Sequence, residues 1–275
     1  MNSSDSAHKR KVASFYDHIS PLWLKLWGIH LHHGYWKTGL ESKELAQEQL
    51  TSDLAKRAGI RSGTTILDVG CGMGGSSIWL AQEYGAKTVG ISLSPSQVEL
   101  ATKTAKNKGV DSTFIVMDAE SAEFSTCFDV VWSIEAVSHL SHPENFFRLA
   151  SRCLKTGGRI ALIDWFHSND LTRKQEEAYI TTIKNAMLVP AMTSMSRYSE
   201  FAERNGFKVI ETEDISENVA RSWDIGFEII SKPEIWKMAM KEGSTVLKFI
   251  RDIRLMRKGF SSKTFRYGVL IAQKI

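Results

Sequence analysis

Four glycines, Gly70, Gly72, Gly74 and Gly75, crowd six consecutive positions of the stretch ILDVGCGMGGSSIWLAQ. An apolar run leads into them and an amphipathic helical pattern leads out, so they mark a strand-to-helix turn. Glycine there lets the backbone adopt positive φ, approach a ligand and pack the next helix against a sheet. The turn opens a series. From Thr64 onward, TILDV, KTVGIS, TFIVMD, FDVVWSI, RIALIDW and FKVIET read as six strands separated by helical patterns, the order of a doubly wound parallel sheet.

Helix starts punctuate the series. Ser94, Pro95 and Gln97 supply a cap residue, a proline at the first helical position and a capping-box partner, and Ser141, Pro143 and Glu144 repeat the signal. The chain closes on FRYGVLIAQKI, an apolar run arriving without a further helix. A last strand inserted antiparallel beside the sixth explains it. The expected architecture is a seven-stranded, mostly parallel α/β sheet. Residues 1–50 form a helical lid, 51–167 the ligand-binding core, 168–195 a helical cap, and 196–275 the rest of the sheet with a helical insertion.

Bulk properties narrow the class. The 275 residues, 43% hydrophobic and 24% charged, suffice for a packed globular core. The uncharged stretch 69–82 is shorter than the ~20 residues of a membrane span, and the polar N-terminus lacks a secretory apolar segment. Cys71, Cys127 and Cys153 are too few and too far apart for a disulfide framework or zinc site, so a cytoplasmic protein is expected. Much of the net charge of +4 comes from residues 232–266, where ten Lys or Arg face three acids. A solvated helix face accounts for this, with contact to an anionic membrane surface as the alternative. Within it Val246, Phe249, Ile250 and Ile253 share an apolar helix face. No nucleic-acid recognition module is present.

The glycine turn admits either a dinucleotide or S-adenosylmethionine (SAM), and charge separates them. A pyrophosphate wants positive surroundings; a sulfonium and an ammonium want acids. Asp68, Asp118, Glu120 and Glu135 gather at the C-terminal ends of adjacent strands, where such sheets bind ligands. They repel a pyrophosphate and attract a cation. The acid that ends strand 2 in many such folds is replaced by Ser92, Leu93 and Ser94, leaving Gln97 either to reach a ribose or to complete the capping box.

The segments ILDVGCGMGGSS, VGISLSPSQ, MDAE, FDVVWSIEAVSHL and LWGIHLHHGYW together resemble the γ-tocopherol methyltransferase-like branch of class I SAM-dependent methyltransferases. The resemblance spans nearly the whole chain. It implies that Gly70, Gly72 and Gly74 approach the methionyl part of SAM, that Ser92, Leu93 and Gln97 hold the ribose, and that Asp118 and Ala119 read the adenine. It also implies that Ser133 offers a carbonyl to the ammonium and that Tyr16 and the HHGYW segment, with His33, close over the cofactor. S-adenosylhomocysteine (SAH) is the implied product. Within the branch the chain looks more like fungal secondary-metabolite enzymes of the roquefortine-to-meleagrin route, which methylate a hydroxyl or ring nitrogen of indole alkaloids such as glandicoline B. A prenylated phenol, quinol or lipid as carbon acceptor is the alternative. An NAD(P)-dependent oxidoreductase and a SAM-binding protein without catalysis stand as rivals from other classes.

A hydroxyl acceptor must lose its proton, and histidine is the natural base near neutrality. His139, just past strand 4, is the first candidate and His167, past strand 5, the second; Asp164 reads as a polar wall and His142 as a solvent-facing cap. His30, His32 and His33 alternate in an aromatic segment without a distant partner motif, a poor metal geometry, so no metal is expected. Trp27, Trp36, Met187 and Met192, with Trp23, Trp223 and Met195, fall outside the predicted sheet and Trp165 ends the strand RIALIDW; all are expected to wall a large pocket for a hydrophobic aromatic small molecule.

Overall fold

The structure, a computed structural model, describes residues 3–125, 127–190, 192–242 and 244–275, with side chains at all of these except 3, 4, 238, 239, 241, 242, 244–246, 248 and 249. Val246 and Phe249, read above as part of an apolar face, therefore lie outside the described side chains, whereas Ile250 and Ile253 are buried. No described helix is long and apolar enough to cross a membrane.

In chain order the elements are α1 (Ser3–Leu26), α2 (Lys43–Ala58), β1 (Thr65–Val69), α3 (Gly75–Tyr84), β2 (Lys87–Ser92), α4 (Pro95–Lys108), β3 (Ser112–Val116), β4 (Phe128–Ile134), α5 (Glu144–Cys153) and β5 (Leu154–His167). There follow α6 (Arg173–Gln175), a π turn (Glu176–Ile180), α7 (Thr181–Ala186), α8 (Met195–Arg204), β6 (Phe207–Asp214), α9 (Ser216–Val219), α10 (Arg221–Ile230), α11 (Pro233–Glu242), α12 (Ser244–Ser261) and β7 (Phe265–Lys274). The seven strands lie in the order β3-β2-β1-β4-β5-β7-β6. All neighbours are parallel except β7, which runs antiparallel to both β5 and β6.

The strands alternate between two buried faces. Ile66, Trp132 and Ile271 join a core with Leu50 and Leu54 of α2, while Leu67, Val131 and Leu270 join one with Phe146 and Phe147 of α5. Burial on both faces explains their nearly continuous apolar runs. β1 is central, and the chain crosses from it to β2 on one side and later to β4 on the other. That reversal opens a crevice at the C-terminal strand ends. α4 starts as read, with Ser94 accepting from the Gln97 N–H and Pro95 at its first position. α5 does not: Pro143 occupies its cap position without a side-chain cap bond, because the chain reaches it from a 3₁₀ turn at Val137–His139.

Candidate active site

A cavity of about 220 Å³ opens at this crevice, walled by the strand ends, α1, the 27–33 segment and residues of α10 and α12. The glycine turn forms its floor. Gly70 and Gly72 hold φ of 78° and 53°, and the Gly70 and Cys71 amides donate to the Ile91 carbonyl at 2.9 and 3.0 Å, tying the turn to β2. A Cβ on Gly70 would sit 2.1 Å from that of Ala136. Gly74 lies off the cavity; a Cβ there would meet Ala101 and Phe114 at 2.8 Å, so this glycine packs α3 against α4 and β3. Asp68 is buried in the cavity wall and accepts from Ser77 Oγ at 2.6 Å. Burial pushes its carboxyl up to about 7, against the pull of that bond.

At the ends of β2 and β3, Ser92, Leu93, Gln97, Asp118 and Ala119 line the cavity. Ser92 Oγ donates to Gln97 Oε1 at 2.9 Å and Gln97 Nε2 donates to Ser20 Oγ at 3.1 Å. The Gln97 side chain is thus spent on the cavity wall, not on a reciprocal capping box. Lys9 of α1 pairs with Asp118 at 2.7 Å and Glu120 at 3.0 Å. Glu120 is turned off the cavity; it also accepts from the His142 N–H and Asn145 Nδ2. Asp17 accepts from Ser94 Oγ and Ser96 Oγ at 2.5 and 2.7 Å. Sequence reading missed Lys9, Asp17 and Ser20, although Lys9, Tyr16 and Ser20 follow helical spacing on one face of α1.

β4 ends in two different ways. Ser133 is fully buried and donates its hydroxyl to the Val69 carbonyl at 2.8 Å, off the cavity. Glu135, with φ of 54°, lines it. Its Oε1 accepts from the His33 N–H, from His33 Nδ1 and from Tyr267 OH at 2.7, 2.8 and 2.6 Å. Burial alone would raise this carboxyl, but His33 and the bonds to it and to Tyr267 outweigh burial and hold it below its ordinary value.

Next comes the 3₁₀ turn, fixed by Asp164, whose Oδ2 accepts from the Ser138 N–H at 2.8 Å. Burial pushes Asp164 up to about 7, opposed by its hydrogen bonds. The turn presents His139 to the cavity. Its Nδ1 faces the Leu188 carbonyl at 3.2 Å, which can only accept, so Nδ1 carries the proton. Nε2 is then bare and takes the Tyr16 hydroxyl at 3.1 Å. Burial lowers the His139 imidazole below its ordinary value, against the raising effect of the Leu188 carbonyl and Glu135. His167 lies elsewhere, at the end of β5, donating from Nδ1 to the Ser168 carbonyl at 2.8 Å. Histidines 30, 32 and 33 are engaged with one another and with protein groups: His32 Nδ1 donates to the His33 carbonyl at 2.7 Å, and its Nε2 meets His30 Nδ1 and Ser76 Oγ, both at 3.2 Å.

Trp23, Trp27, Trp165, Trp223, Met187 and Met256 wall the other half. Trp36, Met192 and Met195 do not reach it. Trp36 is buried outside, donating to the Glu41 carbonyl at 3.3 Å, and Met192 packs in the core on that side of the sheet. Met195 packs instead on the other face of the sheet.

The residues present suit a cationic ligand and not a diphosphate. Among the described residues lining the cavity are three carboxylates and no Lys or Arg, and buried Asp68 has no cationic partner. The model of the mycolic acid cyclopropane synthetase family matches residues 6–263. The chain belongs to that family. It is 30% identical, over 97% of its length and 78% of the other's, to the probable chloroplastic tocopherol O-methyltransferase of Oryza sativa. It is 25% identical to norajmaline N-methyltransferase of Rauvolfia serpentina, over 97% and 98% of the two chains. In fold it is similar to the cyclopropane synthase MmaA2 of Mycobacterium tuberculosis, with a TM-score of 0.86, 19% identity and 97% and 98% of the chains covered. Family and cavity together make this member a SAM-dependent methyltransferase, which removes the NAD(P) oxidoreductase and the non-catalytic binding protein.

Proposed function

We propose that the enzyme methylates a hydroxyl, including an N-hydroxyl, or a ring nitrogen of a bulky aromatic small molecule in the cytoplasm. The class favoured is an indole alkaloid of fungal secondary metabolism, of which glandicoline B is an example. The observation that carries the reading is the unprotonated Nε2 of half-buried His139, at the cavity wall with Tyr16 as its partner and tryptophans in the same lining.

Bound SAM supplies an electrophilic methyl group on a sulfonium, an excellent leaving group, so the protein's work is positioning, desolvation and proton removal. Asp68 and the glycine turn face the cationic end, Gln97 and Ser92 the ribose, and Asp118 and Ala119 the adenine. Burial raises the Tyr16 hydroxyl well above its ordinary value, so Tyr16 stays protonated and holds Nε2 in line. An acceptor hydroxyl replacing that contact would give its proton to Nε2, leaving its oxygen free to take the methyl group that bound SAM would supply, with SAH as the neutral leaving group. His139 then returns the proton to solvent. The tryptophans and methionines suit a flat polycyclic acceptor, with residues 168–195 as its cap.

The test is mass spectrometry of products from SAM with a panel of N-hydroxyindole alkaloids, indoles, phenols and prenylated hydroquinones. A methylated N-hydroxyindole or indole, formed far more slowly by His139→Ala, supports the reading. Turnover confined to prenylated hydroquinones, or unchanged in that variant, overturns it.

A further inference from the structure

Glu135 differs from the other cavity carboxylates. Asp118 is paired with Lys9. Asp68 sits at the glycine turn, and its raised value lets it release a proton to meet the charge of the donor. Glu135 receives all three of its hydrogen bonds on Oε1, and no described residue donates to Oε2. Its backbone holds a left-handed φ of 54°, a conformation unfavourable for a residue bearing a side chain and concentrated at functional sites.

Its surroundings place it with the acceptor. Tyr267 comes from β7, and the His33 ring it shares lies 4.8 Å from Trp223 of α10 and 6.0 Å from Trp165 of β5, centre to centre. β5 and β7 lie across β4 from the strands that carry the glycine turn and the Ser92–Gln97 pair. A carboxylate with a spare oxygen, walled by tryptophans and with no Lys or Arg among the described lining residues, offers a charge-assisted hydrogen bond to a cation, and the low-dielectric wall strengthens it.

We propose that Glu135, with Trp165 and Trp223, is a recognition site for a protonated amine nitrogen on the methyl acceptor. This deepens the aromatic-acceptor reading and rests on it. The acceptor carries two handles: a hydroxyl or ring nitrogen presented to His139, and a basic nitrogen held by Glu135 Oε2. Two positive groups then share the cavity, the donor's near Asp68 and the acceptor's near Glu135.

The experiment titrates the SAH-saturated enzyme by calorimetry with tryptamine, cationic at neutral pH, and with neutral 3-propylindole of similar size. Wild type is expected to bind tryptamine at least about tenfold tighter. In Glu135→Gln the two should bind within about twofold of each other, with SAM and SAH affinities retained. Equal binding of both indoles by wild type overturns the site, a result that needs no variant to fold. So does a preference that survives in Glu135→Gln, or a selective loss of SAM relative to SAH in that variant, which would assign the carboxylate to the donor. Binding of neither indole would overturn the aromatic-acceptor reading itself, and this site with it.

Discussion

The two halves of the cavity are built by different means. The half proposed for the donor comes from a nearly contiguous stretch, 66–120, in which short turns after β1, β2 and β3 hold the chain by backbone geometry and local caps. The half proposed for the acceptor draws single side chains from α1, the 27–33 segment, the turn after β4, β5, α10, α12 and β7. A shape set by backbone tolerates few side chains at its key points. A shape set by side chains can be re-cut without disturbing the fold. Relatives named for O- and for N-methylation both match this chain over 97% of its length, which fits that division.

The strongest way to break the division is Gly70→Ala. Positive φ and a 2.1 Å clash with Ala136 should cost about 3 kcal/mol or more of stability and abolish SAH binding, read by thermal melts and calorimetry. A folded variant with intact binding would show that the turn is not backbone-limited. His139→Ala should act on the other half alone, lowering kcat by roughly 10²–10⁴ with SAH affinity kept. Because the imidazole is held below its usual 6.5, it is unprotonated at neutral pH. The acid limb of the wild-type kcat profile should therefore fall below 6.5 and vanish in the variant.

Asp68→Asn sharpens the donor side. The folded carboxyl, at about 7, lies above its ordinary 3.8, so its contribution to stability is fully present below 3.8 and lost as pH rises through about 7. Relative to wild type, ligand-free Asp68→Asn should gain up to ~4 kcal/mol between pH 4 and pH 8. SAM affinity of wild type should rise through pH 7, and that of the variant should stay flat and weaker by about tenfold. The smallest effect is expected for Lys9→Ala: a partly buried pair is worth ~1 kcal/mol, less than about fivefold in cofactor affinity by calorimetry.

The same division governs what the sequence reveals. The limits of β4, the Ser94–Pro95 start of α4 and the late antiparallel β7 follow from periodicity and caps, local properties of a few neighbouring residues. Asp68, Ser92, Gln97, Asp118 and His139 are legible as cavity-lining positions because they lie at or shortly after strand ends, which the topology brings to one edge. Residue type alone misplaces others. Trp36, Met192 and His167 are the right chemistry beside the wrong wall, and Gly74 serves helix packing. Tyr267, Leu188 and Asp17 carry no local mark, since their partners lie between 49 and 132 positions away.

Helix α1 rests on the cavity through remarkably little apolar burial: Val12 and Ser20 are its fully buried positions among the described residues. Its hold is polar, through His8 on the His139 carbonyl, Lys9, Tyr16, Asp17 and Ser20. Such a clasp is cheap to open compared with the sheet beneath it, and dissolved ions loosen part of it. Added salt is therefore expected to speed the departure of spent product, followed by stopped flow, while the melting temperature of the sheet barely moves.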